Sequence, residues 1–128
     1  MSLKFFAITL FVADLERASV FYREVFDGRE LNRDEASVAL EVGGTIVNLL
    51  RVEDAAEVVA PADYTADAIP AKSVLTLKVD ELDPWLARLD QAGVPIILGP
   101  VDQPWGIRAV VVADPDGNLW EIALPLKH

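Results

Sequence analysis

Any chemistry in this chain has to be done without cysteine and with a single histidine, His128, the last residue. A Ser-His-Asp or Cys-His nucleophilic set needs an imidazole held in a folded element, so neither can be assembled. A terminal residue frays by default, and no metal role is expected of His128. Glycine-rich phosphate loops of dinucleotide or P-loop spacing are also missing. What remains are carboxylates, a few cations and amides. Two carboxylates, Glu41 in SVALEV and Glu121 in NLWEIA, stand inside alternating apolar stretches. Such a pair does acid-base work only when its separation is fixed, and nothing in the spacing fixes it. No catalytic residue is assigned.

Composition narrows the partners. Eleven basic against twenty-one acidic residues give a net charge of −10 over 128 residues. Phosphate backbones are repelled by that balance, which argues against nucleic acid; a cationic small ligand, or solubility alone, accounts for it. No run of about eighteen apolar residues is present, so no membrane span is expected, and the N-terminus lacks the basic-then-apolar layout of a signal peptide. The absence of cysteine fits a reducing cytoplasm.

The elements that would position these groups come in two copies. Residues 5–28, FFAITLFVADLERASVFYREVFDG, and 72–93, KSVLTLKVDELDPWLARLDQAG, each read as an alternating strand, an acidic cap and an amphipathic helix ending at glycine. Asp14-Leu15 superposes on Glu81-Leu82 at an offset of 67. Each copy closes with a hairpin, Gly43-Gly44 into Thr45–Asn48 and Asp114-Pro115-Asp116-Gly117 into Asn118–Glu121, at an offset of 73. A period of this size marks a tandem duplication of one strand-helix-strand-strand-strand unit.

In the first copy the spacing predicts a strand over 5–12, Asp14 as N-cap, a helix stopped by Gly28, and strands near 29–33, 36–42 and 45–52. A two-residue Gly43-Gly44 turn sets Val42 against Thr45 and Ala39 against Asn48. Residues 53–72 hold Pro61, Pro70, seven alanines and five acids, and read as a linker with one short helix near Ala55–Val59. The second copy predicts a strand over 74–79, Asp83 as cap with Pro84 at the first helical position, and strands over 94–98, 107–112 and 119–124. Trp85 and Trp120 are expected in the core. The chain is thus one domain, 1–128, with module one at 4–52, a linker at 53–72 and module two at 73–125.

ITLFVADLERASVFYREVF, LKVDELDPWLARLDQAGVPI and PWGIRAVVVADPDGNLWEIA together resemble the vicinal oxygen chelate superfamily, which includes glyoxalase I, extradiol dioxygenases and bleomycin-resistance proteins. The resemblance implies an α+β fold: two tandem βαβββ modules whose curved sheets form an open, eight-stranded cup, in a homodimer. It also implies, in metal-using members, four ligands, one from the first and one from the last strand of each module. Those positions fall here on Ala7, Asn48, Val74 and Glu121, so no metal site or cofactor is carried over.

The same resemblance turns Ala7 and Val74 toward the cup, and alternation brings Thr9, Phe11, Thr76 and Lys78 with them. Asn48 brings Leu50, Ala39 and Glu41. In the closing hairpin a two-residue Pro115-Asp116 loop sets Glu121 against Val110 and Ala123 against Arg108, leaving Glu121 and Arg108 as diagonal neighbours on one face. An ion pair between them would close the cavity electrostatically where the metal is lost. Trp105 sits at a loop-to-strand junction, where an aromatic packs on the rim or stacks on a ligand.

The candidate ligand-binding residues are therefore Thr9, Phe11, Glu41, Asn48, Leu50, Thr76, Lys78, Trp105, Arg108 and Glu121. The implied function is that of a cytoplasmic, metal-free binder of a cationic or aromatic small molecule, most like the bleomycin-resistance branch. Two alternatives stand beside it: a metal-dependent lyase or dioxygenase with a rebuilt site, and a dimeric interaction module with a vestigial cup.

Overall fold

The structure is a computed structural model; it describes residues 2–60, 62, 65 and 73–127, with the backbone alone at residue 57. Pro61, Pro70 and His128, named above, lie outside the described residues. The chain divides into two compact units, Met1–Ile69 and Pro70–His128. Each carries the strand-helix-strand-strand-strand order of the repeat, which makes the fold α+β.

In the first unit β1 (Ala7–Val12) leads into α1 (Leu15–Phe26), and β2 (Arg29–Arg33), β3 (Ser37–Val42) and β4 (Thr45–Arg51) follow. The sheet order is β1-β4-β3-β2, with β1 parallel to β4 and the other pairs antiparallel. Asp14 caps α1 by accepting the Arg17 N–H at 3.0 Å. The helix ends where Asp27 turns left-handed, φ 56°, and the Gly28 N–H donates to the Tyr22 carbonyl at 2.9 Å. A Cβ at position 28 would come within 2.9 Å of that oxygen, which is why glycine stands there.

Strand alternation then divides the sheet. Val38, Leu40, Val42, Val47 and Leu49 are at most 3% exposed, and α1, with its buried Phe21, Tyr22 and Phe26, lies against β3 and β4. Phe21 meets Tyr22 and Phe26 edge-on at 5.0 and 5.6 Å. On the exposed edge strand β2, Arg33 pairs with Glu30 at 2.8 Å and Glu16 at 3.2 Å, and donates to the buried Ser19 hydroxyl at 3.2 Å. A turn of 3-10 helix (Val52–Asp54) and the short α2 (Ala55–Val59) close the unit, the latter where the linker composition placed it.

The second unit repeats the plan with β5 (Leu75–Lys78), α3 (Asp83–Gln91), β6 (Leu98–Gln103), β7 (Ile107–Ala113) and β8 (Leu119–Pro125), in sheet order β5-β8-β7-β6. Val110, Val112, Trp120 and Ile122 are buried together with Leu82 and Leu89 from the helical side.

Four local expectations need correction here. Leu82, not Asp83, is the cap of α3: its carbonyl takes the Trp85 and Leu86 N–H groups, and burial of its own side chain sets the entry. Asp83 is then the first helical residue. Trp85 is half-buried with the Arg88 guanidinium 5.6 Å over its ring, while Trp120 is in the core as expected. The strand expected at 94–98 lies at Leu98–Gln103 instead. There the Val94 N–H closes the end of α3 on Leu89, Pro95 has no N–H to give, and Gly99 (φ +97°) sits in a register shift between Leu98 and Val101.

The hairpin register is the fourth correction. Its loop has three residues, Pro115-Asp116-Gly117, because the Asp114 N–H donates to the Asn118 carbonyl and Ala113 stands opposite Leu119. The Asp114 carboxylate accepts the N–H groups of Asp116 (2.9 Å) and Asn118 (2.8 Å) and the Asn118 amide (2.9 Å). Gly117, at φ +87°, supplies the left-handed step. One extra loop residue shifts every partner by one and therefore changes faces.

Candidate functional site

In the first unit the helix lies against one side of the sheet, and in both units the opposite side carries most of the residues singled out above. On the first, Thr9 and Ala39 stand opposite Asn48, Phe11 opposite Leu50, and Glu41 between Ile46 and Arg29. Alternation thus collects Thr9, Phe11, Glu41, Asn48 and Leu50 on one face, and none of them is buried. The two-residue Gly43-Gly44 turn sets Val42 against Thr45, as expected.

On the second unit Thr76 stands opposite Glu121, Lys78 opposite Ala123, Val111 opposite Glu121, and Ala109 between Ala123 and Val101. The Thr76 hydroxyl donates to Glu121 Oε1 at 3.0 Å. That contact was not foreseen, yet the repeat contained its signal: Thr9 and Thr76 are 67 residues apart and Asn48 and Glu121 are 73 apart. In both units, therefore, a first-strand threonine faces the last-strand polar residue.

Arg108 is not part of this face. With the three-residue loop it stands opposite Leu124, on the helix side of the sheet, and binds Asp102 through two bonds, Nε–Oδ1 at 2.6 Å and Nη2–Oδ2 at 3.1 Å. The expected Glu121–Arg108 pair is overturned, and the physical cause is the loop length. The guanidinium holds the Asp102 carboxyl below its ordinary range, chiefly by hydrogen bonding. Arg108, Leu124 and Pro100 border an open depression of about 920 Å³ beside Leu82, Pro84 and Leu86 of the α3 region. Its acidic rim, Asp80, Glu81 and Asp83, is what a helix N-terminus favours in any case.

Trp105 is 68% exposed in the turn between β6 and β7. Ile107, which follows that turn, stands opposite Pro125, four residues along β8 from Glu121, or roughly 13 Å at strand rise. The turn and the Glu121 carboxylate are therefore at different ends of the strand.

A divalent ion does not fit the donors present. At the four positions the resemblance implies, Ala7 and Val74 have no donor, Asn48 offers a neutral amide, and Glu121 is the one carboxylate. Among the described residues no group of three or more His, Cys, Asp or Glu is placed to hold a metal ion. No helix among them is long and apolar enough to cross a membrane.

Comparison with known proteins gives one consistent result. Residues 4–122 match the family described as the glyoxalase/bleomycin resistance protein/dioxygenase superfamily. An uncharacterized protein of Mycobacterium bovis is 30% identical over 126 residues, covering 93% of this chain and 82% of the relative. Among solved structures, a glyoxalase-related enzyme from Fulvimarina pelagi is 30% identical, with a TM-score of 0.80 over 94% of this chain and 87% of that one. A glyoxalase/bleomycin resistance protein/dioxygenase family enzyme from Burkholderia phytofirmans has a TM-score of 0.84 at 22% identity, covering 97% of this chain and 100% of that one, which is a likeness of fold.

Proposed function

This chain belongs to the glyoxalase/bleomycin resistance protein/dioxygenase superfamily, and on that footing we propose that it binds a small organic molecule without a metal ion, in the manner of the bleomycin-resistance branch. The observation that carries the reading is the fate of the four donor positions. By the family resemblance three are Ala7, Val74 and Asn48, and the fourth, Glu121, is the one carboxylate among them and takes the Thr76 hydroxyl on one oxygen. A scaffold without its ligands keeps its faces: Thr9, Phe11, Asn48 and Leu50 on one sheet and Thr76, Lys78 and Glu121 on the other offer apolar area with a few polar points. The net charge of −10 favours a guest that carries a positive group.

Calorimetric titration with a panel of cationic glycopeptides and aromatic amines is the direct test. Binding at micromolar concentration, unchanged by a chelator, is the expected result; no heat from any member of the panel overturns the sequestering role. A second reading, an enzyme with a rebuilt metal site, draws on one observation, the 30% identity to a glyoxalase-related enzyme. Elemental analysis of freshly purified protein separates the two. Well under one transition metal per chain is expected, and a stoichiometric ion would replace the first reading by the second.

A further inference from the structure

The depression beside α3 lies on the helix side of its sheet, away from the face that carries Thr76 and Glu121. The two copies of the repeat show how it arises. In the first unit α1 has twelve residues, buries six of them and lies against β3 and β4. In the second, α3 has nine, buries only Leu89, and approaches no strand as closely. Arg108 and Leu124, opposite each other near the ends of β7 and β8, therefore meet the start of the shorter helix across an open space of about 920 Å³.

Acidic residues at a helix start are ordinary and indicate no ligand by themselves. What lies behind them is not ordinary. Leu86 and Leu124 are half-buried and Pro100 is exposed, while Leu82, at 6%, is the most buried residue of the lining. These are apolar walls that the helix leaves uncovered. Arg108, its side chain 45% exposed, is the cation among them, and Asp102 grips one edge of it through Nε at 2.6 Å and Nη2 at 3.1 Å. A guanidinium gripped along an edge still offers its flat face, which stacks on aromatic rings. Because Asp102 already matches the charge of Arg108, the mouth of the depression takes its sign from Asp80, Glu81 and Asp83. Apolar walls, a flat cationic platform and an anionic mouth complement a ligand that is aromatic at one end and positive at the other.

We propose that this helix-side depression is a second small-molecule site, one that takes a primary aralkylamine. The ring lies between Leu86 and Leu124 on the Arg108 guanidinium, and the ammonium sits among Asp80, Glu81 and Asp83. The uncharged alcohol of the same shape loses the ionic contact, and the corresponding carboxylate is repelled at the mouth. The site stands apart from the sheet faces discussed above and does not depend on them.

Titration of the intact, isotope-labelled protein with 2-phenylethylamine, 2-phenylethanol, 3-phenylpropanoate and 2-cyclohexylethylamine, followed by amide chemical shifts, tests this. The amine is expected to bind about fivefold more tightly than the alcohol, the upper range for an exposed ion pair, and the carboxylate least of all. The shifts should fall on residues 80–83, 86, 108 and 124. In the double variant Asp80→Asn, Glu81→Gln, with unchanged circular dichroism, the advantage over the alcohol disappears. In Arg108→Met the affinity ratio of the phenyl to the cyclohexyl amine falls about threefold. Equal binding of amine, alcohol and carboxylate, or a double variant that keeps the full preference, overturns the proposal; an unchanged ratio in Arg108→Met overturns the platform and the aromatic class with it. Shifts gathered instead on Thr9, Asn48, Thr76 and Glu121 place the amine on the sheet faces, which overturns this site and leaves the small-molecule reading above standing. Silence from all four probes overturns this site whatever the glycopeptides do.

Discussion

Thr76 and Glu121 are 45 positions apart in sequence and share one 3.0 Å hydrogen bond across parallel strands. In Thr76→Val the carboxylate keeps its place on a central strand and loses that donor, so stability to urea is expected to drop by about 1 kcal/mol, while Thr76→Ser retains most of it. An unchanged midpoint in Thr76→Val would mean that water serves Glu121 as well as the hydroxyl does. The ionic residues act differently. Glu30, Asp34 and Asp102 are all held below their ordinary values, first by the Arg33 hydrogen bond, by the Ala36 N–H and by the Arg108 hydrogen bond respectively. A carboxyl whose folded pKa is depressed adds stability above its unfolded value, near 4, and that part is lost as pH falls through the folded value. Thermal midpoints should therefore be level through neutral pH and fall on acidification below about pH 4. Arg108→Met should make the acid fall shallower, since Asp102 then titrates normally. An equally steep fall in that variant would assign the acid sensitivity to other carboxyls.

At the scale of elements, the DPDG hairpin decides which side chains of β7 share a face with Glu121. Asp114 is 5% exposed and accepts three hydrogen bonds within the loop. Asp114→Ala leaves two backbone N–H groups without that acceptor and is expected to destabilise by about 1–3 kcal/mol in denaturant melts. A loss below roughly 0.5 kcal/mol would show that Gly117 and strand pairing hold the loop unaided. The hairpin also shows where sequence reasoning stops at this scale. Gly43-Gly44 has one low-energy reading, a two-residue turn, and the register of β3 and β4 followed from it. Asp-Pro-Asp-Gly has two readings, and only the Asp114 N–H bond to Asn118 selects the longer one. The displaced β6 has a similar cause: VPII is apolar enough for a strand, but the end of α3 and Pro95 use that segment as a connection.

At the scale of the molecule, exposed apolar residues cluster in sequence just before the edge strand β1. Leu3, Phe5 and Phe6 are all exposed, the two phenylalanines at 74% and 80%. Exposed aromatic surface of this kind commonly marks an interface. A dimer is the expected state in solution, as in the resemblance drawn from the sequence, and Phe6→Asp is expected to raise its dissociation constant at least about tenfold. Light scattering coupled to size exclusion reads this directly. A monomer at tens of micromolar in the unaltered protein would sink the prediction.

The sequence by itself determined the duplicated unit, the helix caps and stops of the first copy and the faces of its sheet. These are properties of spacing and residue type: period two and period 3.6 need no distant partner to be read. Only the tertiary structure decided that Glu121 turns to Thr76 and that Arg108 leaves for Asp102 on the other side. Both hang on register: Thr76 meets Glu121 through the parallel pairing of β5 with β8, and the place of Arg108 turns on a single loop residue between β7 and β8. A shift of one residue leaves composition, pattern and strand order unchanged while it exchanges the two faces of a sheet.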